Sequence, residues 1–155
     1  MYVLDTCIFS LYFVRENPTP PLKEKILATP DTELWITSIT VEEGLDGAFT
    51  LIRKRDALPI HRQGSLVLAY DLLEKVFFAL HRPQHLPFDA AAFAVYKTIP
   101  STVRKGRTRD CRIASVAVSM GYTVVTRNTE DFKEIKKALP SLQFVDWSRP
   151  ANNTT

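Results

Sequence analysis

Four short apolar runs separated by helical stretches limit this chain to few folds. They are Tyr2-Val3-Leu4, Leu34-Trp35-Ile36-Thr37, Tyr122-Thr123-Val124-Val125-Thr126 and a closing stretch from Leu142 to Asp146. Tyr, Val, Ile and Trp favour strand, and runs this short with no polar alternation suit strands covered on both faces. Strands alternating with helices predict an α/β fold, a parallel β-sheet flanked by helices on both faces. At 155 residues the chain is long enough to build one core. A single domain is expected over 1–147, with a flexible tail over 148–155.

The helical stretches carry their own punctuation. Ile8 to Val14 reads as a short buried helix, broken by Asn17-Pro18-Thr19-Pro20-Pro21. Pro20 and Pro21 can open a second helix running to Leu27. Ser38 or Thr40 caps the next, with Glu42 or Glu43 in its first turn and Arg53-Lys54-Arg55 at its end. Leu66 to Leu80 has the strongest helical period, with Leu66, Ala69, Tyr70, Leu73, Val76, Phe77 and Leu80 on one face. Leu68, Leu72 and Phe78 widen that apolar surface, so this helix is either central to the core or half of an interface. Asp89 caps another helix, which Pro100 ends. A basic loop from Ser101 to Arg109 precedes a helix with Ile113, Val116, Ala117 and Met120 inward and Gly121 as its stop. Asn128 or Thr129 caps the last helix, which carries Asp131 in its first turn and ends at Pro140.

Composition excludes several classes. With 45% hydrophobic and 24% charged residues this is an ordinary globular chain. No apolar run approaches the roughly 20 residues of a membrane span, and no signal-peptide pattern opens the sequence. No membrane association is expected, and the cytoplasm is the expected compartment. Cys7 and Cys111 make no disulfide framework and are expected to be free thiols. His61, His81 and His85 show no metal-ligand spacing and read as surface or structural. None of the five glycines lies in a phosphate loop, which excludes P-loop and dinucleotide-binding enzymes. A net charge of +3 is compatible with a polyanionic partner but too small to argue for one.

Acids recur where strands give way to helices. In a parallel sheet those turns share one edge, and ligands of open α/β sheets collect there. Asp5 follows the first run directly, Glu42 and Glu43 open the helix after the second, Asp110 opens the helix after the basic loop, and Asp131 opens the helix after Val124-Val125. Each has an ordinary alternative, since Asp5 is a good N-cap and first-turn acids are stabilised by the helix dipole. Together they would form a cluster of mutually repelling carboxylates that requires a cation. Hard oxygen donors with few histidines suit Mg²⁺ or Mn²⁺ rather than zinc. Arg104, Lys105, Arg107, Arg109 and Arg112 surround Asp110. Such a run is a solvated loop or, beside carboxylates, a cradle for phosphates.

These stretches resemble the motifs of PIN-domain nucleases. Leu4-Asp5-Thr6 resembles the family's opening. Ile39-Thr40-Val41-Glu42-Glu43 resembles its second motif, whose acid lies three residues after the threonine; this selects Glu43 over Glu42, with Gly47 following. Asp110-Cys111-Arg112-Ile113-Ala114 resembles the third, Val125 to Phe132 the fourth, and Phe144-Val145-Asp146-Trp147 the closing strand. The resemblance covers about Met1 to Trp147 and is nearest to the VapC-like toxins of type II toxin–antitoxin systems. It implies a PIN-like three-layer sandwich and a Mg²⁺- or Mn²⁺-dependent endoribonuclease that hydrolyses RNA phosphodiester bonds. It further implies Asp5 and Asp110 as metal ligands, Glu43 and Asp131 as the other catalytic acids, and Thr6 and Asn128 in support. The Arg104, Lys105, Arg107, Arg109 and Arg112 cluster would grip the RNA, a cognate antitoxin would be the protein partner, and a homodimer would be the assembly.

Three features depart from the family pattern. Cys7 stands where the family usually has asparagine. Some relatives carry the fourth acid at the position of Asn128 and others at that of Asp131, so either fills it here. The stretch from Pro59 to Gln84 is long and apolar for a compact toxin. A haloacid-dehalogenase-type phosphatase would need a second aspartate at position 7, which is cysteine. The remaining alternative is a non-catalytic PIN-like binding or regulatory module acting through protein partners, which the apolar Leu66–Leu80 helix suggests.

Overall fold

The computed structural model describes residues 1–150. Strand β1 (Tyr2–Leu4) leads into α1 (Thr6–Phe9), which a wider π-helical turn continues to Val14, and α2 (Pro20–Leu27) follows. The order then runs β2 (Leu34–Thr37), α3 (Ser38–Asp56), α4 (Leu66–Leu80), β3 (Gln84–Leu86), α5 (Ala90–Thr98), α6 (Ser101–Arg104), α7 (Thr108–Met120), β4 (Thr123–Val125), α8 (Thr129–Ala138) and β5 (Gln143–Val145). The tail expected over 148–155 lies, from 151 onward, outside the described residues.

All five strands are parallel, in the order β3-β2-β1-β4-β5. The chain builds outward from central β1 to β2 and β3, then crosses back to lay β4 and β5 on the other side. The reversal falls between β1 and β4, and open α/β sheets form their ligand crevice beyond the strand ends at such a point. The register Leu4↔Val125 brings the following residues, Asp5 and Thr126, together at that crevice.

Period-two alternation divides the apolar strand residues between two layers of helices. Val3 and Val124 join Ile113, Ala117, Phe132 and Ile135 in one cluster. Leu4, Ile36 and Val125 join Ile8, Phe9, Leu22 and Val76 in the other. These strand residues are fully buried, as runs without polar alternation require. Among the described residues no helix is long and apolar enough to cross a membrane.

Several local features differ from those expected. Strand β3 has no apolar run to announce it. It is an edge strand with only Leu86 buried, held by pairing with β2 through Trp35↔Gln84 and Thr37↔Leu86. Helix α3 is capped by Thr37, not by Ser38 or Thr40: the Thr37 hydroxyl accepts the Thr40 N–H at 3.2 Å. Glu42 and Glu43 therefore sit in its second turn. Thr37→Ala should cost about 1–2 kcal/mol in chemical denaturation, while Thr37→Ser should retain most of it. Met120, expected inward, is nearly half exposed at the end of α7, where Gly121 adopts φ +69° and closes the helix.

Helix α4 divides between the two readings its sequence left open. Ala69, Val76, Ala79 and Leu80 are buried, but Tyr70 and Phe77 of the same apolar face are about half exposed, and Val67, Leu68 and Phe78 more so. The helix packs mainly on α3 and on the turn after α1, and much of its apolar surface faces outward. The basic stretch is not a plain loop either. Ser101–Arg104 forms a helical turn, Gly106 reverses the chain at φ +82°, and Thr108 and Arg109 already belong to α7.

Candidate active site

Asp5 ends β1 at the crevice and is buried, with 4% of its surface exposed. Its Oδ1 accepts the Thr6 N–H at 2.7 Å, so it caps α1, and its Oδ2 accepts the Thr126 hydroxyl at 2.7 Å and the Cys7 thiol at 3.2 Å. Cap and site residue are therefore not alternatives. One oxygen starts the helix while the other faces β4.

Glu43 reaches the same edge from α3. The Thr6 hydroxyl donates to its Oε2, and Arg109 Nη1 lies 3.7 Å from its Oε1. Glu42 points away from Thr6 and pairs with Arg109 at 3.1 Å, on the exposed side. Burial raises the proton affinity of Glu43, against the opposing effects of the Thr6 hydrogen bond and Arg109.

Asp110 enters from the first turn of α7, and Asp131 from that of α8. Asn128 bridges them, with Nδ2 donating to Asp110 Oδ2 at 3.2 Å and to Asp131 Oδ2 at 2.7 Å. Arg107 Nε donates to Asp131 Oδ1 at 2.5 Å. The two acids are tuned in opposite directions. Burial first, and then the charges of Asp5, Asp131 and Glu43, push the Asp110 carboxyl up to about 7. The Asn128 hydrogen bond and Arg107 hold Asp131 below the usual carboxylate range.

Two of these contacts were not foreseen. Thr126 is fully buried and donates to Asp5, while its oxygen accepts the Asn128 N–H at 2.9 Å. It thus ties the first acid to the residue that bridges the third and fourth. Its signal was positional, a hydroxyl directly after β4 just as Asp5 directly follows β1. Arg109, expected among the RNA-gripping cations, bridges Glu42, Glu43 and Asp46 at the cleft.

The other cations diverge. Arg107 and Arg112 line, with Glu42, Glu43, Arg109 and Asp110, an open cleft of about 580 Å³. Arg104 lies over the Tyr96 ring and Lys105 is exposed. Cys7 donates to Asp5 as a protonated thiol, because burial and then the Asp5 charge push it up to about 12. Burial and then Asp110 push Cys111 up to about 11. Neither thiol is a thiolate near neutrality, the form that disulfide exchange needs. His61 is exposed, and His81 and His85 bond backbone carbonyls away from the cleft.

No three His, Cys, Asp or Glu side chains among the described residues are close enough to form a ready metal cage. Glu43 is engaged by Thr6 and Arg109, and Asp131 by Arg107 and Asn128, which leaves Asp5 and Asp110 as the acids without a cationic partner at salt-bridge distance. All four donors are hard oxygens, which suit a divalent cation such as Mg²⁺ or Mn²⁺. Asp110, raised by its acidic neighbours, is the group such a cation would relieve. The residues present fit the ion.

No curated protein matches the chain by sequence. Among solved structures, VapBC-1 from nontypeable Haemophilus influenzae superposes with a TM-score of 0.68 at 22% identity, covering 96% of this chain and 98% of that one. VapBC2 from Rickettsia felis, bound to a DNA fragment from its promoter, gives 0.66 at 20% identity, covering 94% and 98%. DNA-bound VapBC from Salmonella typhimurium gives 0.58 at 24% identity, covering 94% and 97%. At such identities the likeness concerns the fold. The PIN domain model matches residues 2–138, nearly the whole of the described chain and all four acids of the crevice, and the chain belongs to the PIN domain family.

Proposed function

We propose that this protein is a Mg²⁺- or Mn²⁺-dependent endoribonuclease that hydrolyses RNA phosphodiester bonds and acts as the toxin of a toxin–antitoxin pair. The observation that carries the reading is the meeting of Asp5, Glu43, Asp110 and Asp131 at the switch point of a parallel sheet, beside a cleft lined with arginines. Asp5 and Asp110 would hold the ion, with Glu43 and Asp131 completing the pocket directly or through water. When bound, such an ion polarises the scissile phosphate and lowers the pKa of an attacking water.

The protein's own groups do the rest. Thr6 and Thr126 fix the carboxylates of Glu43 and Asp5, and Asn128 sets the spacing of Asp110 and Asp131. Glu43, whose proton affinity burial raises, is suited to take up a proton during hydrolysis. Arg112 at the cleft and exposed Lys105 supply positive charge for the phosphate backbone, giving affinity without base choice. Replacing Lys105 and Arg112 by alanine should weaken RNA binding evenly across sequences. It should also lower the salt dependence by roughly one per lost contact.

Cleavage of a labelled single-stranded RNA with added Mg²⁺ or Mn²⁺, and with EDTA, tests the reading. Hydrolysis that EDTA leaves untouched would sink it. The exposed apolar face of α4 favours a second component, a cognate antitoxin that buries this surface near the cleft; the VapBC neighbours belong to a family of toxin–antitoxin systems. That face also supports the rival reading, a non-catalytic binding module, which predicts no metal-stimulated hydrolysis in the same assay. Growth arrest on expression, relieved by Asp5→Ala, tests the toxin role.

A further inference from the structure

Next to the acid cleft lies a second hollow of about 370 Å³, lined by Ile39, Glu42, Phe88, Phe93, Tyr96 and Arg112 among others. Glu42 and Arg112 line both, so the two adjoin. Three aromatic rings form the wall. Phe93 and Tyr96 lie nearly parallel, with centroids 6.3 Å apart and planes at 23°, and Phe88 stands edge-on to both. The platform is braced. Tyr96 is buried, and the Phe88 N–H donates to Ser38 Oγ at 3.0 Å, pinning the segment after β3 to the start of α3. Phe93, by contrast, remains 47% exposed.

Cations surround these rings. Lys97 Nζ lies 5.3 Å from the Phe93 centroid, and the Arg104 and Arg112 guanidiniums lie 5.0 and 5.9 Å from that of Tyr96. With Glu42 paired to Arg109, a flat apolar ring among these cations, beside the acid cleft, suits a ligand with both a π face and negative charge. We propose that this hollow is a stacking subsite for one unpaired nucleobase of the RNA, with Phe93 as the stacking surface. The proposal rests on the ribonuclease reading and adds to it a demand that the nucleotide beside the cleft be single-stranded. Stacking on an aromatic side chain suits unpaired bases and tolerates different ones.

A second copy of the chain fits this face poorly. Across a two-fold axis this patch would face its own copy, setting Lys97, Arg104 and Arg112 against a surface carrying the same cations. One exposed ring also contributes little of the roughly 1,000 Å² that a stable interface needs.

The test uses Asp110→Asn protein in EDTA, so that the RNA stays intact, and single-stranded oligonucleotides carrying one 2-aminopurine at successive positions. Quenching at a single position is expected on saturation. Adding Phe93→Ala should remove the quench and weaken binding roughly fivefold to a hundredfold. Phe93→Leu, which keeps an apolar side chain without the π face, should also lose the quench, and Phe93→Trp should keep it. Salt-dependent binding with no quench at any position, or unchanged binding by Phe93→Ala, overturns the subsite and leaves the ribonuclease reading standing. Absence of any salt-dependent RNA binding by the parent overturns both. Light scattering adds one further arm: a Phe93→Ala protein of half the parent's mass would make the face a self-association surface and overturn the subsite.

Discussion

Asp110→Asn is expected to lower metal-dependent RNA cleavage by on the order of a thousandfold or more, and at the same time to stabilise the protein in EDTA. Both effects have one cause. The Asp110 carboxyl lies half-buried among Asp5, Glu43 and Asp131, and its pKa is pushed up to about 7. In the unfolded chain it would titrate near 3.9. Below about pH 4 it is neutral in both states and carries no penalty. As pH rises towards 7 the unfolded chain gives up a proton that the folded chain retains, so stability falls through that window, and the full cost is present above it. A three-unit displacement would correspond to about 4 kcal/mol in a dry site, and partial exposure reduces that to about 1–2 kcal/mol.

The asparagine variant, neutral at every pH, should therefore melt roughly 3–6 °C above the parent at pH 8 in EDTA and no higher near pH 4. Its carbonyl can still accept the Asn128 hydrogen bond, so the fold should be kept. Mg²⁺ should reverse the order at pH 8 by stabilising the parent and not the variant. Cleavage within tenfold of the parent would rule out Asp110 as a ligand. An unchanged melting temperature at pH 8 would show that the crowding of acids costs nothing.

The same tension explains which parts of this protein could be read before folding. The central strands were legible because β1, β2 and β4 are buried on both faces, and only continuous apolar runs survive there. Edge strand β3 is held by backbone pairing with β2 and buries only Leu86, so nothing in Gln84-His85-Leu86 marks it. The gathering of Asp5, Glu43, Asp110 and Asp131 on one edge followed from parallel topology alone. Their partners did not. Whether Arg109 lies over a phosphate or over Glu42 and Glu43 depends on how α7 is aimed at α3, a contact between elements far apart in sequence. Helix α4 stayed ambiguous for the opposite reason. Its sequence is apolar nearly all round, and periodicity cannot say which part of such a helix the core will cover.

The residue that sequence reading passed over should give the largest loss of stability. Thr126 is fully buried, and its hydroxyl donates to Asp5 at 2.7 Å while accepting the Asn128 N–H at 2.9 Å. Valine has nearly the same shape and none of that capacity. Thr126→Val would strip a nearly buried carboxylate of a donor and leave a backbone N–H unpaired. A hydrogen bond to a charged group contributes about 1.5–3 kcal/mol, and the part-buried Asn128 N–H loses a second bond of about 0.5–1.5 kcal/mol, so a loss near 3 kcal/mol is expected. For a domain of this size the melting temperature should fall by roughly 6–12 °C. Thr126→Ser keeps the hydroxyl and should cost only about 1 kcal/mol for the missing methyl. Combining Thr126→Val with Asp5→Asn separates the two contributions, because an amide needs the hydroxyl less than a carboxylate does; the double variant should lose less than the sum of the singles. Chemical denaturation reads the parent and all four variants, and a Thr126→Val cost under 1 kcal/mol would contradict these roles for the hydroxyl. Cleavage should fall along with stability in Thr126→Val and recover in Thr126→Ser, since the same hydroxyl holds Asp5 on one side and the Asn128 bridge to Asp110 and Asp131 on the other.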